Sequence, residues 1–92
     1  MSIRRIRLAV SEGRYSYSVH ALEEMDDDGL QESDVNEVIM RGELVSKLTD
    51  DPRGRRFVIR GITLPDQIDV EVVCRFLPTG ILRIITVYAV EN

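Results

Sequence analysis

From Ile68 to Leu77 the sequence keeps a two-residue period, with Ile68, Val70, Val72, Cys74 and Phe76 on one side and Asp69, Glu71 and Arg75 on the other. Only an extended strand with one buried face uses that period, because successive side chains of a strand point to opposite faces. Such a strand needs hydrogen-bonded neighbours and a layer to cover its apolar side, so the segment commits the chain to a sheet covered on one face. Three further stretches supply the neighbours. Glu43 to Asp50 reads as extended, with Leu44, Ser46 and Leu48 on one side and Val45 on the other. Arg55 to Ile62 places Phe57, Ile59 and Gly61 opposite Arg56, Val58 and Arg60. Ile81 to Val90 is apolar on both faces, as expected of a strand covered on both sides. Asp51-Pro52-Arg53-Gly54, Leu64-Pro65-Asp66-Gln67 and Pro78-Thr79-Gly80 join the four strands as turns.

The covering layer comes from the first half of the chain. Ile3, Ile6, Ala9 and Val10 recur at helical spacing, Arg4, Arg5 and Arg7 face elsewhere, and Gly13 closes this first helix over residues 2–12. Arg14 to Tyr17 is a short connection; as a strand it would point Tyr15 and Tyr17 to the same side. Ser18 caps a second helix over Val19–Asp27, with Val19, Leu22 and Met25 inward and Glu23, Glu24, Asp26 and Asp27 toward water. Gly29 ends it. Gln31 at the next cap puts Asp34 at the third helical position, where its charge suits the positive helix end, and lets Leu30 staple onto Val35. Val35, Val38 and Ile39 face inward, and Gly42 closes that helix. Helices followed by a four-strand meander predict an α+β domain with an antiparallel sheet.

Ninety-two residues suit one domain, spanning 1–92. A domain this small buries a modest share of its surface, which leaves room for a partner chain, a second copy included. No apolar run reaches membrane-spanning length, and the Arg-rich start lacks the apolar centre of a signal peptide. The single cysteine, Cys74, excludes an internal disulfide and a cysteine-based zinc site; it reads as a buried thiol in a reducing cytoplasm. The net charge of −4 conceals a division. Residues 1–20 carry four arginines against Glu12, residues 21–51 carry eleven acids against Arg41 and Lys47, and residues 52–92 carry six arginines against four acids. Eleven of the twelve cations are arginine, whose planar fork suits phosphate better than the point charge of lysine. Asp26-Asp27-Asp28 invites a metal reading, yet consecutive residues on a helix diverge, so these acids form a solvated corner and no metal is expected.

His20 is the only histidine, and it is the side chain best suited to proton transfer near neutral pH. Packing or capping is the alternative role for a histidine so early in a helix. Arg56 and Arg60 share the strand face opposite Phe57 and Ile59, and Thr86 and Tyr88 share one face of the last strand. If those faces coincide, guanidinium groups, a hydroxyl and a phenol line one groove able to hold and polarise a phosphodiester, with His20 at its edge. Solvated edge arginines and an ordinary strand tyrosine are the alternative reading of the same residues.

The order Ser18-x-His20-Ala21-Leu22, Gly29, Val35-x-x-Val38-Ile39, Gly42, Pro52-Arg53-Gly54-Arg55-Arg56-Phe57 and Ile85-Thr86-Val87-Tyr88 resembles domain-of-unknown-function family 4258, from about Tyr15 to Val90. That family looks related to the RelE/MqsR-like toxin fold and to small metal-independent ribonucleases of barnase and colicin type. The sequence departs from many relatives at Asp28, where they carry arginine. The resemblance implies helices on one face of a RelE-like four-stranded sheet and an endoribonuclease toxin of a bacterial toxin–antitoxin pair. It implies no cofactor, RNA as substrate, and a YgiT-type zinc-finger antitoxin as partner. Carried over residue by residue, it makes His20, Arg56 (Arg55 as alternate), Thr86 and Tyr88 the catalytic set. Arg53, Arg55 and Arg60, which flank Arg56, are the phosphate-binding candidates. A second class fits as well: a non-catalytic interaction domain whose acidic helical segment meets a basic partner. An enzyme acting on a small phosphorylated molecule is a third.

Overall fold

The computed structural model describes residues 2–90; Met1, Glu91 and Asn92, which the expected domain includes, lie outside the described residues. The chain runs α1 (Ser2–Ser11), β1 (Tyr15–Tyr17), α2 (Val19–Asp28), α3 (Glu32–Arg41), β2 (Glu43–Leu48), β3 (Arg56–Ile62), β4 (Asp69–Phe76) and β5 (Leu82–Ala89). The fold is α+β, but the sheet has five strands in the order β1-β5-β4-β3-β2 and is mixed. Its β2-to-β5 meander is antiparallel, as expected, and β1 adds a parallel strand against β5. Sequence reading leaves β1 as a connection because three residues are too few to show a period. What makes it a strand is the free edge of β5 at Leu82–Ile84, which Tyr15–Tyr17 covers.

The expected turns and caps form. Ser18 accepts from the Ala21 N–H, Gly29 takes the left-handed conformation after α2, and the Gln31 N–H donates to Asp34 at 2.8 Å. Gly54 N–H donates to the Asp51 carbonyl across the turn between β2 and β3. Gly42 ends α3 for a different reason from a left-handed cap. A Cβ there would stand 2.5 Å from both the Arg60 and Val38 carbonyl oxygens, so only glycine lets the helix end touch β3. Arg7 was expected to face away from the core. Instead its Nε donates to the Ile39 carbonyl at 3.1 Å and its Nη2 to the Gly42 carbonyl at 2.8 Å, tying α1 to the negative end of α3.

The core lies between the helices and one sheet face. Ile59, Val72 and Val87 sit side by side on three adjacent strands, fully buried, with Val70, Cys74, Leu82 and Ile84 around them. Ile6, Ala9, Ala21, Met25, Val35, Val38 and Ile39 close over them from the helices. Each buried Val, Leu, Ile or Met side chain among these contributes about 1.5–3 kcal/mol relative to its exposed state. Three inward assignments fail. Val19 and Leu22 are exposed, and Ala21 takes their place beside Met25, because α2 lies along the sheet edge and turns a narrower stripe inward. Ile68 precedes β4 and is also exposed. In β2, Leu44 pairs with Ile59 but Ser46 pairs with Val58, so Val45 is an extra residue. That bulge moves Ser46 and Leu48 to the face opposite Leu44. A second bulge lies in β5, where Thr86 pairs with Val73 and Ile84 with Cys74, leaving Ile85 extra.

Candidate active site

The β5 bulge decides what the open sheet face carries. Before it, Leu82 and Ile84 point to the helices and Arg83 away; after it, Val87 points to the helices and Thr86 and Tyr88 away. Arg83, Thr86 and Tyr88 therefore share the open face with Arg56, Val58 and Arg60 of β3 and with Glu71, Val73 and Arg75 of β4. Thr86 and Tyr88 thus lie on the same face as Arg56 and Arg60, the coincidence on which the groove reading depends.

Beyond Ile84, β5 has no strand on its outer side, and α2 takes over. The Ser18 hydroxyl donates to the Ile85 carbonyl at 2.8 Å, the Val87 N–H donates to Glu24 at 3.0 Å, and the Ala89 N–H donates to Asp28 at 3.0 Å. Residues 20, 24 and 28 recur at one helical turn, so one stripe of α2 faces that edge. Glu24, expected to face water, and Asp28, expected in the solvated acidic corner, instead complete the backbone hydrogen bonds of β5 and block its pairing with another chain. His20 stands at the head of the stripe. Its side chain is 66% exposed, and its Nε2 lies 3.3 Å from the same Glu24 oxygen that accepts the Val87 N–H. A carboxylate anchored on the strand between Thr86 and Tyr88 thus orients the histidine. Sequence reading missed Glu24, although its place four residues after His20 was a usable signal.

Beside this edge, a row crosses the open face. Arg60 lies opposite Glu71 and Glu71 opposite Tyr88. The Tyr88 hydroxyl donates to Glu71, and Arg60 has its nitrogens 3.6 Å from Asp69 and 3.8 Å from Glu71. Donation to the Glu71 carboxylate, helped by burial, holds the Tyr88 pKa above that of a free phenol, so the group is a neutral donor. Thr86 occupies the next row, opposite Val73.

The other predicted residues do not join this cluster. Arg56 is four residues from Arg60 along β3, about 13 Å away, and pairs with Asp50 at 3.3 Å and Asp51 at 3.6 Å. Arg53 is held by Asp51 at 3.2 Å in the turn, and Arg55 is exposed. Of the four arginines singled out from sequence, Arg60 alone lies in the row of Tyr88. A cavity of about 300 Å³ touches Arg60 from its other side, between the end of α3 and β3, lined also by Arg41, Glu43 and Ile62. Among the described residues no group of three or more histidines, cysteines or acids is placed to hold a metal ion.

No helix among the described residues is long and apolar enough to cross a membrane. No curated protein and no solved structure matches the chain. A family model does, over residues 17–89, a span that takes in the α2 stripe and all of the open face. The chain belongs to the family described as a domain of unknown function, DUF4258.

Proposed function

We propose that this domain is a metal-independent endoribonuclease with His20 as its acid–base group, built on a RelE-like scaffold and paired with a zinc-finger antitoxin of YgiT type. The observation that supports it is the placement of His20 on Glu24, a carboxylate itself fixed by the Val87 N–H between Thr86 and Tyr88. A histidine oriented by an anchored carboxylate, next to a neutral phenol and a hydroxyl, is a set able to move protons at a phosphodiester.

In this reading His20 removes the proton of the RNA 2′-hydroxyl, and the 2′-oxygen attacks phosphorus. The bond to the 5′-oxygen breaks, that oxygen takes a proton from solvent water, the His20 proton returns to solvent, and a 2′,3′-cyclic phosphate remains. Tyr88 turns its hydroxyl from Glu71 to a phosphate oxygen, and Thr86 donates beside it. Arg60, in the row of Tyr88, is better situated than Arg56 to offset the charge that develops there. The test is cleavage of total RNA in excess EDTA by the wild type, His20→Ala and Tyr88→Phe, with end-group analysis. Cyclic-phosphate ends that disappear in both variants are expected. Undiminished cleavage by His20→Ala would remove His20 from the scheme.

A non-catalytic interaction domain is the second reading, and one observation favours it. Arg53, Arg56, Arg60 and Arg75 all lie within 4 Å of carboxylates of the same chain, which lowers the free positive charge of the open face. Absence of cleavage with or without ribosomes would select that reading.

A further inference from the structure

Three arginines stand in one row across the open face at the end away from Tyr88. Arg75 of β4 is directly opposite Arg83 of β5, and the β3–β4 register that pairs Phe57 with Cys74 brings Arg56 opposite Arg75. Neighbouring strands are about 4.8 Å apart, and like charges directly opposite on a sheet are destabilising. The row therefore calls for an anion. At the outer end of the row, Asp50 accepts a hydrogen bond from the Arg56 Nη2 at 3.3 Å. The chain supplies one carboxylate to the centre of the row: Asp51, from the turn after β2, lies 3.6 Å from Arg56 and 3.9 Å from Arg75. Neither contact is a hydrogen bond, and the Arg56 Nε–H is buried without an acceptor. Arg83 has no carboxylate within 4 Å among the described residues; its Nε donates to Ser16 at 2.9 Å. A row of guanidinium groups with a loose internal counter-ion, one orphaned donor and one uncompensated member is built for a larger oxyanion than a carboxylate.

Resting on the ribonuclease reading above, we propose that the Arg56–Arg75–Arg83 row binds a backbone phosphate of the RNA next to the one cleaved, and that Asp51 occupies the row until RNA displaces it. The placement suits a neighbouring phosphate. Arg75 is two residues along β4 from Val73, the partner of Thr86, and four from Glu71, the partner of Tyr88. The row is thus about 7 Å from Thr86 and about 13 Å from Tyr88 along the strands. Asp51 sits on a turn rather than in the sheet, so it can withdraw without breaking a strand pair, and Arg53, which holds it at 3.2 Å, withdraws with it.

The test is binding, not cleavage. Its probe is a ten-nucleotide RNA with every 2′-hydroxyl methylated, which cannot be cleaved, titrated at several salt concentrations in EDTA. Arg83→Gln and Arg75→Gln are expected to weaken binding by roughly 10-fold each and to reduce the steepness of its salt dependence by about one phosphate contact. Asp51→Asn is expected to tighten binding several-fold, an outcome that a purely structural role for Asp51 does not produce; thermal melts confirm that each variant is folded. Unchanged affinity and salt dependence in Arg83→Gln, weaker binding in Asp51→Asn, or no binding by the wild type would each overturn the proposal. Binding with this pattern in a protein that cleaves no RNA would uphold the arginine row and overturn only the catalytic reading.

Discussion

The two ends of the open sheet face solve the same electrostatic problem in opposite ways. At the Tyr88 end, charges alternate across the strands: Arg60 meets Glu71, Glu71 meets Tyr88, and Asp69 takes the other side of Arg60. At the other end Arg56, Arg75 and Arg83 stand next to one another, with a single turn carboxylate between two of them. The first end is satisfied within the chain, with the Tyr88 phenol held by Glu71 and with His20 at the strand edge on Glu24. The second is left short of negative charge and is suited to holding an anion. Counting charges along the sequence hides this, because acids and arginines that are distant in the chain share the same rows.

The largest effect expected from breaking the comparison is at the Tyr88 end. His20→Ala should lower RNA cleavage in EDTA by more than roughly 100-fold, within the usual range for a lost general acid or base. Glu24→Gln is a finer instrument. Its amide oxygen still accepts the Val87 N–H, so thermal stability should fall by less than about 1 kcal/mol, while cleavage falls about 10-fold as the imidazole loses its charged partner. A loss of stability with unchanged cleavage would reduce Glu24 to an edge cap.

At the arginine end, pH is the probe. Hydrogen bonds from Arg53 hold the Asp51 carboxyl below its ordinary pKa. A group with a depressed folded-state pKa stabilises the fold above its unfolded value, near 4, and that contribution disappears as pH falls through the folded value. Melting temperature should therefore decline in wild type below about pH 4, with part of the decline absent in Asp51→Asn. Identical acid profiles would show that Asp51 is not engaged. The smallest effect concerns the core beneath both ends. Burial pushes the Cys74 thiol up to about 12, so iodoacetamide at pH 8 should label it only through global opening. Rapid labelling of native protein would mean that the sheet opens locally under Ile59 and Val72.

Most of the scaffold was legible because its signals are local. Two-residue alternation marked β4, the Asp51–Gly54 turn and the Gln31 cap carried their own chemistry, and Val35, Val38 and Ile39 lay at helical spacing. The faces were less legible. Val45 and Ile85 are each one residue too many for their partners, and nothing in their identity announces a bulge; yet Ile85 is what puts Arg83 on the same face as Thr86 and Tyr88. β1 was hidden by its shortness. The site was half legible: Thr86, Tyr88 and Arg60 share the open face and His20 stands at its β5 edge on Glu24, while Arg56 belongs to a different row whose other members, Arg75 and Arg83, become visible only once strand register is known. Glu24 and Asp28 read as solvent-facing because the strand edge they cap is more than fifty residues away in the chain.

The most direct measurement is the steady-state cleavage of one defined RNA by wild type, His20→Ala and Arg83→Gln, each over a full range of RNA concentration. If the two ends divide chemistry from phosphate holding, His20→Ala lowers kcat with little change in KM, and Arg83→Gln raises KM by roughly 10-fold with little change in kcat. Equal losses of kcat in both variants, or cleavage by His20→Ala at the wild-type kcat, would contradict the division.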